Sequence, residues 1–92
     1  MIELKVKEGD NTYETLVGLN IRTGPSVKFP LMKREHMTED GRAHSHGSVL
    51  DPHTRVTVLE VIIRPLTSSV WIRIPSGYIC AVDGNKKYVE EK

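Results

Sequence analysis

Apolar and polar residues alternate along most of this chain. Residues 2–7 read IELKVK and residues 70–74 read VWIRI, so that every second side chain in each segment is aliphatic. A period of two is the pattern of a β-strand that buries one face and exposes the other. Residues 55–61, RVTVLEV, carry apolar side chains on both sides, as expected for a strand in the middle of a small barrel or sandwich.

Glycine, proline and asparagine separate these segments. Turn signals occur at residues 8–11 (EGDN), 24–25 (GP), 75–77 (PSG) and 83–85 (DGN). The PSG sequence between two alternating runs predicts a hairpin with a short turn. No window has the spacing of a confident amphipathic helix, and the best candidate, residues 31–40, has few apolar positions. The pattern therefore predicts an all-β fold, a small barrel of five to seven strands.

Length and charge narrow the range of partners. The chain has 92 residues, which suits one domain with a single modest core. Thirteen Lys and Arg residues against twelve Asp and Glu residues leave a net charge of +1, so no bulk electrostatic field attracts nucleic acid or an anionic membrane. Basic pairs such as Lys86 and Lys87 are isolated, and no apolar run approaches the roughly 20 residues of a membrane span. We expect neither a nucleic-acid partner nor a membrane partner.

The cysteine content and the N-terminal residues favour an intracellular setting. Cys80 is the only cysteine, so it has no partner for a disulfide within the chain. Met1 is followed by alternating charged residues rather than by the apolar run of a signal peptide. We therefore expect a cytoplasmic location.

Four short motifs resemble the bacterial SH3-like domain, the SH3b family. Residues 19–26, LNIRTGPS, resemble the family signature LNVRSGPS, and residues 55–60, RVTVLE, look like its strand GTxVTVLE. Residues 71–74, WIRI, and residues 77–79, GYI, are similar to its WYKV and GWV segments and follow in the same order. The resemblance covers roughly residues 13–89. It implies an SH3-like barrel.

The chain departs from that family after the GPS motif. An insert, about residues 31–48, lengthens the connection by roughly 13 to 15 residues, whereas connections in compact domains have a median of about 4 to 6. Its polar centre, KREHMTEDGRAHSHGS, lies between two apolar ends. Two interpretations remain open, an ordered recognition loop or a solvated segment without a role. We treat residues 1–92 as one SH3-like domain in which residues 1–12 form an N-terminal strand and turn.

The histidine and cysteine residues of this chain do not form a recognisable catalytic or metal-binding motif. His44 and His46 lie two residues apart, but zinc sites use three or four ligands, so we expect a solvent-exposed polar loop and no metal. Cys80 alternates with Tyr78 and Val82, which predicts a small buried side chain, and no histidine lies near it in sequence to act as a base. We expect no catalytic activity and no cofactor.

Aromatic and arginine side chains are the candidates for binding. Trp71 and Arg73 share one face of a predicted strand, which places the indole towards a partly exposed surface, although Trp71 could instead cover the end of the core. Arg22 alternates with Ile21 and so points away from the core, where a salt bridge to a carboxylate is the simplest role. The predicted ligand-binding set is Trp71, Tyr78, Arg22, Arg73 and Tyr13.

Two classes of function remain. The first is a non-catalytic protein- or peptide-binding module, within a larger multidomain protein, that uses Trp71, Tyr78 and nearby loop residues. The second is implied by the SH3b resemblance, a cell-wall-targeting accessory domain of a peptidoglycan hydrolase. The unusual insert favours the first, because a generic wall-binding repeat has no need of it. We expect the isolated domain to be monomeric.

Overall fold

The computed structural model of this protein describes residues 13–91, and β-structure dominates that part of the chain. The ten strands of the described part are β1 (Tyr13–Thr15), β2 (Leu19–Asn20), β3 (Ser45–His46), β4 (Val49–Leu50), β5 (Arg55–Val56), β6 (Glu60–Arg64), β7 (Ser69–Ile74), β8 (Gly77–Asp83), β9 (Lys86–Lys87) and β10 (Val89–Glu91). The helices are α1 (Glu39–Ala43) and two 3-10 turns, Arg34–His36 and Pro65–Thr67. The all-β prediction is confirmed, and the strand predicted within residues 1–12 lies outside the described residues.

The described strands form three antiparallel sheets. Their strand orders are β10-β1-β5, β2-β4-β3 and β6-β7-β8-β9. The four-stranded sheet is a meander, because its strands follow one another in sequence. Pro75 and Ser76 connect β7 to β8. The following residue, Gly77, has a φ of +142°, a backbone conformation that residues other than glycine rarely adopt. The predicted hairpin is thus confirmed, whereas closure into an SH3-like barrel stays a prediction.

The alternation along β7 builds one side of the core. Val70, Ile72 and Ile74 are each at most 5% exposed, and Ile72 pairs with the fully buried Ile79 of β8. Burying an aliphatic side chain of this size contributes about 1.5 to 3 kcal/mol relative to leaving it exposed. This burial holds the inner face of β7 against the core, so that Trp71 lies on the opposite, outer face.

A β-bulge shifts the register between β7 and β8. Val70 pairs with Val82, whereas Trp71 pairs with Cys80, so Ala81 is an extra residue in β8. Ala81 and Val82 are both fully buried, while Cys80 is half-buried and lies on the outer face beside Trp71. The prediction that Cys80 shares a buried face with Val82 is therefore wrong, because the bulge interrupts the period of two.

The LNIRTGPS segment forms a strand end followed by a corner loop, residues 23–30. A Cβ at Gly24 would lie about 2.5 Å from carbon atoms of the Phe29 ring, so any side chain at this position would displace that ring. The corner loop then carries Val27 over the outer face of the four-stranded sheet. There, Val27 and Trp71 line the same two cavities.

Candidate functional site

The insert is ordered, and one arginine side chain links its parts. Arg34 Nη1 donates to Ser45 Oγ (3.1 Å) and to the Gly47 carbonyl (2.8 Å), and Arg34 Nη2 donates to the Arg42 carbonyl (3.2 Å). Arg42 Nη1 in turn donates to the Met37 carbonyl (2.6 Å). These bonds join residues 5 to 13 positions apart and close the insert into a compact unit. Of the two interpretations of the insert, only an ordered loop agrees with these contacts.

Besides the pairing of β3 with β4, contacts of Met37 and Thr38 attach the insert to the core and the sheets. Met37 is 4% exposed and belongs to the hydrophobic core. The Thr38 N–H donates to Ser76 Oγ (3.1 Å), and the Thr38 hydroxyl lies 3.0 Å from the same atom. Thr38 is also the N-cap of α1, because its Oγ1 accepts a hydrogen bond of 2.9 Å from the Gly41 N–H. The hydroxyl of Ser76, in the turn between β7 and β8, therefore positions the start of α1.

A groove lies between α1 and the strands that face it. Its volume is about 260 Å³. Three of its lining residues, Leu50, Val56 and Ile74, are aliphatic and at most 5% exposed. Polar residues also line the groove, among them Thr38, Asp40, His44, Arg55, Thr57 and Ser76. Of these, Thr38, Asp40, His44 and Arg55 are exposed and form a polar rim, whereas Ser76 is as buried as the aliphatic residues.

A buried threonine stabilises one wall of this groove. Thr15 is fully buried, and its hydroxyl donates to the Asp51 carbonyl (2.8 Å) and accepts from the Thr54 N–H (2.9 Å). The Thr54 hydroxyl also donates to the Asp51 carbonyl, at 2.8 Å. These bonds satisfy the polar groups that burial removes from water, and they fix the segment that leads into β5.

Both signs of charge occur at the rim. Asp40 and His44 lie four positions apart, with 3.4 Å between Asp40 Oδ1 and His44 Nδ1, and the same imidazole nitrogen is 2.9 Å from the Asp40 carbonyl. Arg55 of β5 lines the same groove and is exposed. The rim therefore offers hydrogen-bond donors and acceptors to a polar main chain that crosses it.

Four of the five predicted binding residues share the outer face of the four-stranded sheet. Arg73 lies opposite Tyr78 in the register of β7 and β8, and Trp71 lies opposite Cys80. Arg22 and Tyr78 exchange two backbone hydrogen bonds, each of 2.9 Å. Residues directly opposite one another in an antiparallel pair point to the same side. Arg22, Trp71, Arg73 and Tyr78 are therefore neighbours, as a common binding surface requires.

Trp71 lies beneath this surface rather than on it. The residue is 4% exposed, so the prediction of a partly exposed indole is wrong. The corner loop covers it, with cavities of about 200 Å³ and about 190 Å³ that both Val27 and Trp71 line. Tyr13, the fifth predicted residue, is also 4% exposed and packs in the core, in the sheet of β1, β5 and β10. Burial leaves neither aromatic ring on the surface.

Arg22 and Arg73, the two arginines of the predicted binding set, already have partners. Arg22 Nη1 donates to the Phe29 carbonyl (3.0 Å), which is a backbone group rather than the carboxylate that the sequence suggested. Arg73 Nε donates to Glu60 Oε1 (3.3 Å), and these two side chains are 42% and 47% exposed. Exposed ion pairs of this kind contribute about 0.2 to 1 kcal/mol. Both arginines therefore have a structural role before any ligand is considered.

Two histidines of the insert, His44 and His46, pair with separate carboxylates. His46 Nδ1 lies 2.6 Å from Asp51 Oδ1, and His44 pairs with Asp40 as described above. Across residues 13–91, no three side chains of His, Cys, Asp or Glu are grouped so that they could hold a metal ion. The two imidazoles therefore act as individual surface groups in this part of the chain.

The Cys80 thiol is poorly suited to nucleophilic chemistry. Burial, together with the nearby Asp83 carboxylate, raises the pKa of Cys80 to about 11. Its Sγ donates to the Val82 carbonyl at 3.3 Å. Because the thiolate is the reactive form of cysteine, a thiol with this pKa is almost entirely unreactive at neutral pH.

Comparison with protein-family models, with curated proteins and with solved structures finds no match for this chain. The SH3b resemblance therefore rests on the four motifs in the sequence, and membership of that family stays a prediction. In the part of the chain that the structure describes, no helix is long and apolar enough to cross a membrane.

Sequence analysis did not find the residues of the groove. Leu50 belongs to no motif, Thr57 lies in the RVTVLE segment and Ser76 lies in the PSG turn, but nothing in these segments indicates that the three residues meet in one groove. The available signal was Met37, an apolar residue inside a polar run. A methionine in such a position is often buried, and it marks the place where an insert packs on a core.

Proposed function

We propose that this chain is a non-catalytic protein- or peptide-binding module and that the groove beside α1 receives a side chain of the partner. The observation that supports this most strongly is the composition of the groove. Buried aliphatic residues and the buried Ser76 form its interior, and the exposed polar residues Thr38, Asp40, His44 and Arg55 form its rim. Binding sites typically have this arrangement, in which apolar surface provides affinity and a few polar groups fix the orientation of the ligand.

The size of the groove favours a peptide side chain over a small metabolite. Its volume of about 260 Å³ lies below the roughly 300 to 1,000 Å³ of small-molecule pockets. One aliphatic or aromatic side chain fits a space of this size. The main chain on either side of that residue would then meet the rim, where Asp40, His44 and Arg55 supply hydrogen-bonding groups.

The insert preorganises the groove. The Arg34 hydrogen bonds close the insert, and the bonds between Thr38 and Ser76 hold α1 against the sheets without any ligand. A preformed site loses less conformational entropy on binding than a loop that must become ordered. For this reason the groove is a better candidate than the outer face, where the corner loop would first have to uncover Trp71.

A peptide-display selection against the full chain tests the proposal. Thr57→Arg fills the groove with a long side chain, because the half-buried Thr57 lines it. Thr23→Arg is the matched control, since Thr23 is exposed on the corner loop. We expect the selected peptides to bind the wild-type chain and T23R with a Kd of about 1 to 100 μM. T57R should bind them at least about tenfold more weakly, because the anchoring side chain has no space.

The possible outcomes distinguish a wrong binding site from a wrong function. Circular dichroism and proton NMR first verify that both variants fold. Peptides that bind T57R as tightly as the wild-type chain would contradict the groove as the site. If the selection yields no peptide and insoluble cell wall pellets the chain, the binding-module proposal fails in favour of the wall-targeting alternative.

A further inference from the structure

Strand β6 forms one edge of the four-stranded sheet. Its strand neighbour is β7, and no second strand of residues 13–91 pairs with its other side. Such an edge presents backbone N–H and C=O groups that a further strand can bind. The groove beside α1 includes no residue of β6, so this surface is separate from the proposed peptide site.

The centre of β6 is apolar, and no other strand of residues 13–91 covers its free edge. Val61, Ile62 and Ile63 are consecutive, and Ile63 is 60% exposed. Leu66, two residues beyond the strand, is fully exposed. Natural edge strands are commonly protected by lysine, proline or an inward-pointing charge. Neither lysine nor proline occurs within Glu60–Arg64, so the edge favours association with another strand.

The strand is also complementary to itself. It reads EVIIR, with an acidic residue at one end and a basic residue at the other. Antiparallel pairing of two copies about Ile62 places Glu60 of each copy opposite Arg64 of the other. Val61 then lies opposite Ile63, and Ile62 lies opposite its own counterpart. Opposite charges and β-branched residues are both favourable directly across an antiparallel pair.

The charged ends of β6 are accessible for this contact. Arg64 forms no ion pair with any residue in the described range 13–91. The Glu60 side chain is 47% exposed although it contacts Arg73 at 3.3 Å. In the paired form, Glu60 lies between Arg73 of its own chain and Arg64 of the second copy. A carboxylate between two guanidinium groups gains a second favourable interaction without losing the first.

We infer that β6 binds a second copy of this chain by antiparallel strand pairing, which joins two four-stranded sheets into one sheet of eight strands. The contact has two-fold symmetry and therefore closes at a dimer. A five-residue strand buries less than the roughly 1,200 to 2,000 Å² of a stable interface, so the association is weak. We expect a Kd of about 0.1 to 1 mM. The chain is then mostly monomeric at low micromolar concentration, in agreement with the expectation from its sequence.

Sedimentation equilibrium of the full chain, from about 10 μM to about 1 mM, measures this association. Ile63→Lys introduces a charge at the centre of the contact. Val17→Lys is the matched control, because Val17 is 43% exposed and lies between β1 and β2, outside β6 and outside the cavity that Arg64 lines. We expect I63K to raise the dimer Kd at least about tenfold, since a lysine at an edge opposes strand pairing. V17K should dimerise as the wild-type chain does.

A pair of charge reversals tests the register. Arg64→Glu places carboxylates opposite one another at both ends of the contact, and Glu60→Lys places two cations opposite one another in the same way. Each variant alone should self-associate at least about tenfold more weakly than the wild-type chain. In an equimolar mixture, both opposite-charge pairs form again between unlike chains. The mixture should therefore recover nearly the wild-type affinity.

Recovery in the mixture supports the register about Ile62, because a variant that had merely lost its fold could not regain association. Circular dichroism confirms that each variant is folded before the comparison. A wild-type chain that stays monomeric at about 1 mM overturns the inference. A dimer that is insensitive to I63K and to both charge reversals also overturns it, since that dimer must use another surface.

Discussion

Gly41→Ala should destabilise this protein, although alanine is normally the better residue inside a helix. On an exposed helix, this replacement stabilises by about 1 kcal/mol. Gly41, however, is buried in α1 and faces the turn between β7 and β8. A Cβ at this position would lie 2.0 Å from Ser76 Oγ and 3.0 Å from Ser76 Cβ. The first distance is far inside van der Waals contact, so either Ser76 or α1 must move.

The expected cost has two parts. Displacing Ser76 breaks its contacts of 3.1 Å and 3.0 Å with the Thr38 N–H and hydroxyl, and each such hydrogen bond contributes about 0.5 to 1.5 kcal/mol. Overpacking adds about 1 to 3 kcal/mol. These terms together exceed the helical gain of about 1 kcal/mol. We therefore expect the free energy of unfolding to fall by about 3 kcal/mol, and by at least about 1 kcal/mol.

Urea unfolding followed by the fluorescence of Trp71, the only tryptophan, measures this change. We expect a lower midpoint with an unchanged m value. In a Ser76→Ala background, the 2.0 Å contact disappears, and Gly41→Ala should then cost at least about 1 kcal/mol less than it does alone. The reasoning is refuted if G41A is as stable as the wild-type chain, or if the replacement costs the same in both backgrounds.

Two further predictions concern Met37 and Cys80. Met37→Ala removes the core side chain of the insert and should lower the free energy of unfolding by about 2 to 5 kcal/mol, with faster amide exchange in α1. Met32→Ala should lower it less, because Met32 is only half-buried. Equal losses of unfolding free energy in urea would contradict the anchoring role of Met37. The pKa of Cys80 is about 11, against 9.0 normally, so the folded chain holds less of the reactive thiolate at about pH 8. Iodoacetamide should therefore alkylate Cys80 at least about a hundredfold more slowly in the folded chain than in the unfolded chain. Similar alkylation rates in both states would disprove the raised pKa. Because the folded pKa of Cys80 is the higher one, the contribution of Cys80 to stability is complete below about pH 9 and is lost towards pH 11, so stability should decrease less over this range in Cys80→Ala.

The face that each residue of β7 occupies follows from the sequence. Val70, Ile72 and Ile74 are buried, as the period of two predicts, because a pleated strand turns successive side chains to opposite sides wherever it occurs. The hairpin after Ile74 follows equally, since proline, serine and glycine specify a turn through their own backbone preferences.

What covers a face does not follow from periodicity. The pattern placed Trp71 on the outer face correctly, but the corner loop with Val27 lies over it and leaves 4% of the residue exposed. Cys80 shows a second limit of the pattern. One extra residue in β8, Ala81, interrupts the alternation, and nothing in the local composition indicates that bulge.

The groove depends on contacts between segments that are distant in sequence. Thr38 and Ser76, whose hydroxyl groups lie 3.0 Å apart, are separated by 38 positions. Ser76 is recognisable in the sequence only as part of a turn, and nothing indicates that it meets Thr38 or lies close to Gly41. The sequence predicted an insert relative to the SH3b pattern, but it left open whether these residues are ordered.

The sequence by itself determined the all-β class, the two faces of β7 and the turn that joins β7 to β8, because these features depend on residues that are close together along the chain. Tertiary structure alone decided that the insert is ordered, that Trp71 is buried and that a groove lies beside α1. These features depend on which segment packs against which face. A hydrophobic pattern indicates that a face can be buried, and only the path of the chain in space specifies what buries it.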